Sequence, residues 1–336
     1  MKVRNLFAVL ILLCFANANT DRQAKADNAS HRLGRRQASA NDQVGAIYQD
    51  WQDAQRSRSL PVKIYMPTTG AAPYPIVIFS HGLGGTRDAA SYLGEYWSHH
   101  GYLCVFIQHP GSDSSVWIGS GANNRQSAVA ALKPAANARN SIDRVNDVKF
   151  TIDEVEKRNQ SDPLLKGKAD LSHIAVSGHS FGAGTSLYIA GQTARIRNIN
   201  PRDERVKAAI YLCPPVSRAQ SPEEAYGSIQ IPGLTLTGTN DNSPIGETAA
   251  FDRRKPFDAI KSPHQYLVTF NGADHGIFAG GKMRVASPEN RLFYEQVDKL
   301  TTEFLDAYLK GDADAQRWLD SEASTYLGKS AKFENK

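Results

Sequence analysis

From about Gln43 onward the chain alternates two hydrophobic patterns. Short runs at 61–66, 75–80, 102–108, 173–177, 206–213, 233–237 and 265–270 are apolar, several of them on successive residues, as strands buried on both faces are. Longer stretches at 89–100, 141–156, 182–194 and 288–309 repeat their apolar residues at helical spacing. In the last of these, Leu292, Phe293, Val297, Leu300, Phe304 and Leu305 form one stripe and are expected to face a core. The order strand, helix, strand, helix predicts an α/β fold: a doubly wound, mostly parallel sheet with helices on both faces. Residues 111–140, rich in Ser, Gly, Asn and Ala, read as a long insertion at the carboxyl edge of that sheet, where ligand loops sit.

The first residues follow another logic. Lys2 and Arg4 precede an apolar run from Leu6 to Phe15, and Ala16-Asn17-Ala18 offers a small-x-small cleavage site. That run is too short for the ~20 residues that span a bilayer. The expectation is a signal peptide over 1–18, a polar leader over 19–42, and one catalytic domain over 43–336 that is secreted or periplasmic, with no stable membrane span. Length and composition agree, since 336 residues with 41% hydrophobic and 22% charged can bury a large core. A net charge of +5 is mild, and no basic stripe with interleaved aromatics accompanies it, so nucleic acid is not an expected partner. Cys104 and Cys213 fall in apolar runs that are not expected to be neighbouring strands. Buried free thiols are the expected state, although export would permit a disulfide.

Chemistry enters at Gly178-His179-Ser180-Phe181-Gly182, after a strand run and at the start of a helical one. A serine on so sharp a turn needs small residues two before and two after it, and the turn lifts its hydroxyl above the sheet edge. Ser180 is the candidate nucleophile. It needs a base, and of nine histidines only His275 follows a strand run beyond the serine. His81 and His109 follow strands but precede the serine, and read as structural. The candidate acid is Asp241, directly after the stretch 233–239, with Asp252 as the fallback; Asp274 would have to fold back on its neighbour. For the oxyanion, the amide of Phe181 is one expected donor. The glycine-rich Gly82-Leu83-Gly84-Gly85 offers the second, at Leu83. Trp117 and Phe278 are candidates for lining an acyl or aryl pocket, with ordinary packing as the competing reading. Arg87 stands where a dinucleotide fingerprint needs glycine, and no HExxH or cysteine pair occurs, so neither cofactor nor metal is expected.

The segments 79–85, 178–182, 240–241 and 272–275 together resemble the α/β-hydrolases of the dienelactone-hydrolase-like branch, the platelet-activating-factor acetylhydrolases and the bacterial polyester hydrolases. The resemblance runs from about Ile47 to Leu319 and implies a cofactor-free serine esterase acting on a small-molecule or polymeric ester. It does not transfer a substrate: dienelactone hydrolases carry cysteine where Ser180 stands, and the acetylhydrolases' earlier acid position is vacant. Acyl transfer or peptide cleavage on the same residues, and a non-catalytic binding module of the same fold, are the rival readings.

Overall fold

Nine strands among the described residues form one sheet in a computed structural model that describes residues 45–194, 200–243, 245, 246 and 248–336. The expected signal peptide and leader, 1–18 and 19–42, lie outside the described residues. The strands are β1 (Ile47–Asp53), β2 (Arg58–Tyr65), β3 (Tyr74–Ser80), β4 (Leu103–Ile107), β5 (Ala169–His179), β6 (Val206–Leu212), β7 (Gly233–Asn240), β8 (Gln265–Asp274) and β9 (Ala331–Asn335). Their spatial order is β1-β2-β4-β3-β5-β6-β7-β8-β9. The central pairs from β4 to β8 are parallel, and antiparallel pairs close the two edges.

The helices are α1 (Ser91–His99), α2 (Ser115–Ile118), α3 (Arg125–Leu132), α4 (Ala138–Ser161), α5 (Phe181–Ala190), α6 (Pro222–Tyr226), α7 (Lys255–Ala259), α8 (Lys282–Val285), α9 (Arg291–Leu309), α10 (Ala313–Ser321) and α11 (Ala323–Leu327). Alternation along each central strand divides the core in two. Val77, Phe79, Cys104 and Phe106 face α1 and α9, while Ile76, Ile78, Val105 and Ile107 face α4 and α5. The doubly wound, mostly parallel sheet with helices on both faces is thus as read from the sequence. The edge strands β1 and β9 were not anticipated; β1 interleaves polar residues and β9 has a single aromatic, so neither carries the two-faced apolar signal.

Along α9, Val297, Leu300, Phe304 and Leu305 are buried and Phe293 partly so, but Leu292 is 54% exposed. In the same first turn Phe293 packs on Phe270 and Tyr294 on Tyr92, so Leu292 is at the margin of the stripe and its side chain is left to solvent. The 111–140 segment folds into α2, α3 and a short 3₁₀ turn rather than a bare loop. Cys104 and Cys213 are free and buried; Cys104 lies in β4, which β3 and β5 separate from β6. No helix among the described residues is long and apolar enough to cross a membrane.

Candidate active site

Strand register brings the candidate residues together. Asn240 of β7 pairs with Asp274 of β8, so Asp241 and His275 each lie one residue beyond matched positions on adjacent parallel strands. Ser80 of β3 pairs with Gly178 of β5, which sets the loop after β3 beside the turn after β5. That turn carries Ser180 at φ 55°, ψ −117°, a conformation L-residues rarely hold. The chain reverses from strand to helix here only because its flanks are bare: a Cβ on Gly182 would overlap the Ser80 carbonyl, and one on Gly178 would overlap Gly182 itself.

Ser180 Oγ lies 2.8 Å from His275 Nε2, and His275 Nδ1 lies 2.6 Å from Asp241 Oδ1. Asp241 is sealed from solvent, whereas His275 and Ser180 remain partly exposed. Thr237 Oγ1 donates to Asp241 Oδ2 at 2.7 Å, and the Cys213 thiol and the Arg253 guanidinium also contact the carboxylate. Burial alone would raise this carboxyl, but the His275 hydrogen bond and the Arg253 charge outweigh it and hold it below the usual carboxylate range. The fallback acid, Asp252, pairs instead with Lys255 at 2.6 Å, and Asp274 is taken by Arg284 and the Ile277 amide.

Three other buried histidines, His179, His81 and His109, are committed elsewhere. His179 Nε2 donates to the His275 carbonyl, at 2.9 Å. Burial and the neighbouring His275 push His179 down to about 3. His81 Nε2 accepts the His109 amide while its Nδ1 donates to the Gly82 carbonyl. His109 bonds Ser80 and Asp147 in the interior. These bonds satisfy the structural reading of His81 and His109.

A pocket of about 540 Å³ opens over Ser180. Leu83, Tyr188, Pro215, Val216 and Ile245 give it apolar walls, and Gly82, Phe181 and His275 form its floor. The amides of Leu83 and Phe181 donate to no other described residue, and Phe181 is the first residue of α5, whose amino end points the helix dipole at the pocket.

Two sequence readings need correction. Phe278 does not line the pocket: it is fully buried in the core, edge-on to Phe270 and Phe293, because the 3₁₀ turn 277–279 folds it under the His275 loop. Trp117 does not line it either. Its Nε1 donates to the Gly84 carbonyl at 2.8 Å, so the ring props the glycine loop from behind. Sequence reasoning also missed Arg253, which is 1% exposed, lines the pocket and touches both Asp241 and His275. Nothing local marks this arginine, twelve residues past the acid and beside another arginine.

A parallel sheet with a strained serine between β5 and α5, and histidine and aspartate at the ends of β8 and β7, defines the α/β-hydrolase fold. Within it the chain resembles a particular group. The family model described as "Platelet-activating factor acetylhydrolase, isoform II" matches residues 52–160. The platelet-activating factor acetylhydrolase of Cavia porcellus is 24% identical over 296 residues, covering 78% of this chain and 64% of that protein. The protein of the same name from Canis lupus familiaris is 28% identical over 172 residues, 42% of this chain and 37% of the relative. The Bos taurus protein is 26% identical over 159 residues, 37% and 33% of the two chains. The chain thus spans less than two thirds of the length of these relatives. The family-model match covers the glycine loop and α4 and ends before Ser180.

Proposed function

We propose that this protein is a serine carboxylic-ester hydrolase. The observation that carries the reading is the continuous hydrogen-bonded line from Ser180 and His275, which line an apolar-walled pocket, to the buried Asp241. In this reading His275 Nε2 accepts the Ser180 proton as Oγ attacks the ester carbonyl, and Asp241 holds Nδ1–H and offsets the imidazolium that forms. The Leu83 and Phe181 amides, free of other acceptors, take the oxyanion. His275 then returns the proton to the departing alcohol, and water, activated the same way, hydrolyses the acyl-enzyme. Every step uses a group of this chain, with no metal or cofactor required.

The relatives are named for platelet-activating factor and for acetyl hydrolysis, which makes acetyl esters, including platelet-activating factor, the first substrates to assay. Export is part of the proposal, on the strength of the positive, apolar and small-residue order at 1–18. A fluorophosphonate should label Ser180, mapped by peptide mass, and block turnover of acetyl esters. Labelling at another residue, or full turnover after Ser180 is labelled, refutes the assignment. Absence of turnover on a graded acyl series despite labelling would favour a binding module. Products formed preferentially with an added alcohol would favour acyl transfer.

A further inference from the structure

Arg253 lies in the 3₁₀ turn 250–254 and points back under the pocket. Its Nη1 donates to the carbonyls of Cys213 and Pro214, both at 2.9 Å, and its Nε donates to the Asp241 carbonyl at 3.1 Å. Nε also lies 3.0 Å from Asp241 Oδ1. Nη2 sits 3.1 Å from His275 Nδ1, the nitrogen already 2.6 Å from Asp241. That nitrogen has one site for a proton or a lone pair. With the proton on it and donated to the carboxylate, the guanidinium faces an N–H, so its charge acts against a positive imidazole. With the proton on Nε2 instead, Nδ1 would accept from Arg253 and the base would be blocked.

We propose that Arg253 is a positioning residue whose buried charge, shared between Asp241 and His275, keeps the base free of a second proton and so sets the acid limit of activity. The proposal rests on the triad reading above. The guanidinium divides the carboxylate between two cations, leaving less of it to stabilise a charged imidazole before substrate arrives. Its grip on Asp241 and on the Cys213–Pro214 backbone, where Cys213 is held at φ 55°, fixes the acid at the same time. Arg218 is the other cation that lines the pocket, and among the described residues no hydrogen bond or ion pair joins it to Asp241 or His275. Thr237 from β7, the Cys213 thiol after β6, and Ser180 and His179 at the β5 turn are the neutral groups around the pair. The carboxylate of Asp274 on β8 is neutralised by Arg284 of α8.

The experiment compares kcat/KM against pH for acetyl-ester hydrolysis in the wild type, Arg253→Gln and Arg253→Lys. Removing a charge this close should move the acid limb of the glutamine variant to higher pH by about one unit. Plateau turnover should fall about tenfold, as a less firmly held acid implies. The lysine variant retains the charge but not the fork of donors, so its limb should stay close to the wild-type position while its turnover drops. A folded glutamine variant with an unmoved limb would overturn the proposal, as would equal shifts in both variants. Should the glutamine variant not fold, the lysine variant decides: an unmoved limb supports the proposal, and a full-unit shift despite the retained charge refutes it. Fluorophosphonate labelling of the same preparations separates the two levels. An unlabelled Ser180 in the wild type removes the triad reading and this inference with it; a labelled Ser180 with an unmoved limb removes only the role of Arg253.

Discussion

Two chains of serine, histidine and aspartate with the same connectivity lie at the carboxyl edge of the sheet. In one, Ser180 Oγ meets His275 Nε2 at 2.8 Å and His275 Nδ1 meets Asp241 at 2.6 Å. In the other, Ser80 Oγ meets His109 Nε2 at 3.1 Å and His109 Nδ1 meets Asp147 at 3.0 Å. Both aspartates also receive arginine, Arg253 for the first and Arg56 and Arg58 for the second. Surroundings separate them. Ser80, His109 and Asp147 are each at most 1% exposed, and none lines the pocket. Ser80 ends a regular strand, whereas Ser180 sits on a strained turn with a helix amino end behind it and two unengaged amides nearby. No carbonyl carbon can reach the Ser80 hydroxyl, and no donors wait for an oxyanion there.

The sealed set has a different use. Arg144 of α4, fully buried, donates to the His81 carbonyl, to Ser112 Oγ and to Thr185 Oγ1 of α5, and lies 4.8 Å from the Phe181 ring. With His109 holding Ser80 to Asp147, it ties β3, β4, α4 and α5 together directly beneath the glycine loop. The same three residue types act as scaffold in one place and as candidate machinery in the other. Access, backbone strain and free amides make the difference, and connectivity does not.

The sharpest way to break this comparison is to delete both serines. Ser180→Ala should cost about 10⁶ in turnover, whereas Ser80→Ala should leave turnover within a few-fold and cost about 1 kcal/mol of stability for the lost hydrogen bond. Steady-state kinetics and urea unfolding on both variants decide it; loss of turnover in a fully folded Ser80→Ala protein would make the sealed set part of the machinery. The aspartates should separate along the other axis. Asp241→Asn should cost about 10⁴ in turnover by favouring the wrong tautomer. Asp147→Asn should act on the fold, by about 3 kcal/mol, because Arg56, Arg58 and His109 lose a buried anion. Asp252→Asn should change little, and an inactive Asp252→Asn variant beside an active Asp241→Asn one would reverse the assignment of the acid.

The smallest expected effect concerns pH. Burial and the Arg144 charge lower His109 to about 4, against the hydrogen bond that its Nδ1–H donates to Asp147, which raises it. An imidazole in the unfolded chain binds its proton near ~6.5. The folded state therefore holds fewer protons in this window. Stability is complete above about 6.5 and is lost as the pH falls towards about 4. Asp147, lowered to about 2 by the His109 hydrogen bond and Arg58 in spite of burial, adds a further loss below the ordinary carboxylate value. His109→Gln should therefore show a shallower acid decline in its urea midpoint than the wild type. Parallel declines would mean that His109 is not held neutral.

Legibility followed the range over which each signal acts. The strand–turn–helix around Ser180 is a local matter: five consecutive residues carry both the steric requirement and the function. Asp241 and His275 were legible through a rule of topology, since residues just past parallel strand ends share an edge. Trp117 and Phe278 sit on segments of the same edge, and the sequence left pocket lining and ordinary packing open for each; neither lines the pocket. Which way a loop side chain turns depends on what lies beneath it, here the Gly84 carbonyl and the Phe270–Phe293 pair. Leu292 misled for a related reason: periodicity marks a stripe but not how wide a face the neighbouring elements cover, and Leu292 is exposed beside the packed Phe293 and Tyr294.

The order of apolar runs was enough to specify a doubly wound sheet, and the glycines flanking Ser180 were enough to specify a raised hydroxyl, because burial of both strand faces and backbone sterics act residue by residue. Tertiary structure alone decided that Arg253 stands between Asp241 and His275 and that Ser80, His109 and Asp147 meet out of reach of solvent. Those contacts join residues between 12 and 38 positions apart on different elements. Their energies depend on the low-dielectric interior that the fold creates, and the linear pattern of the chain holds no record of it.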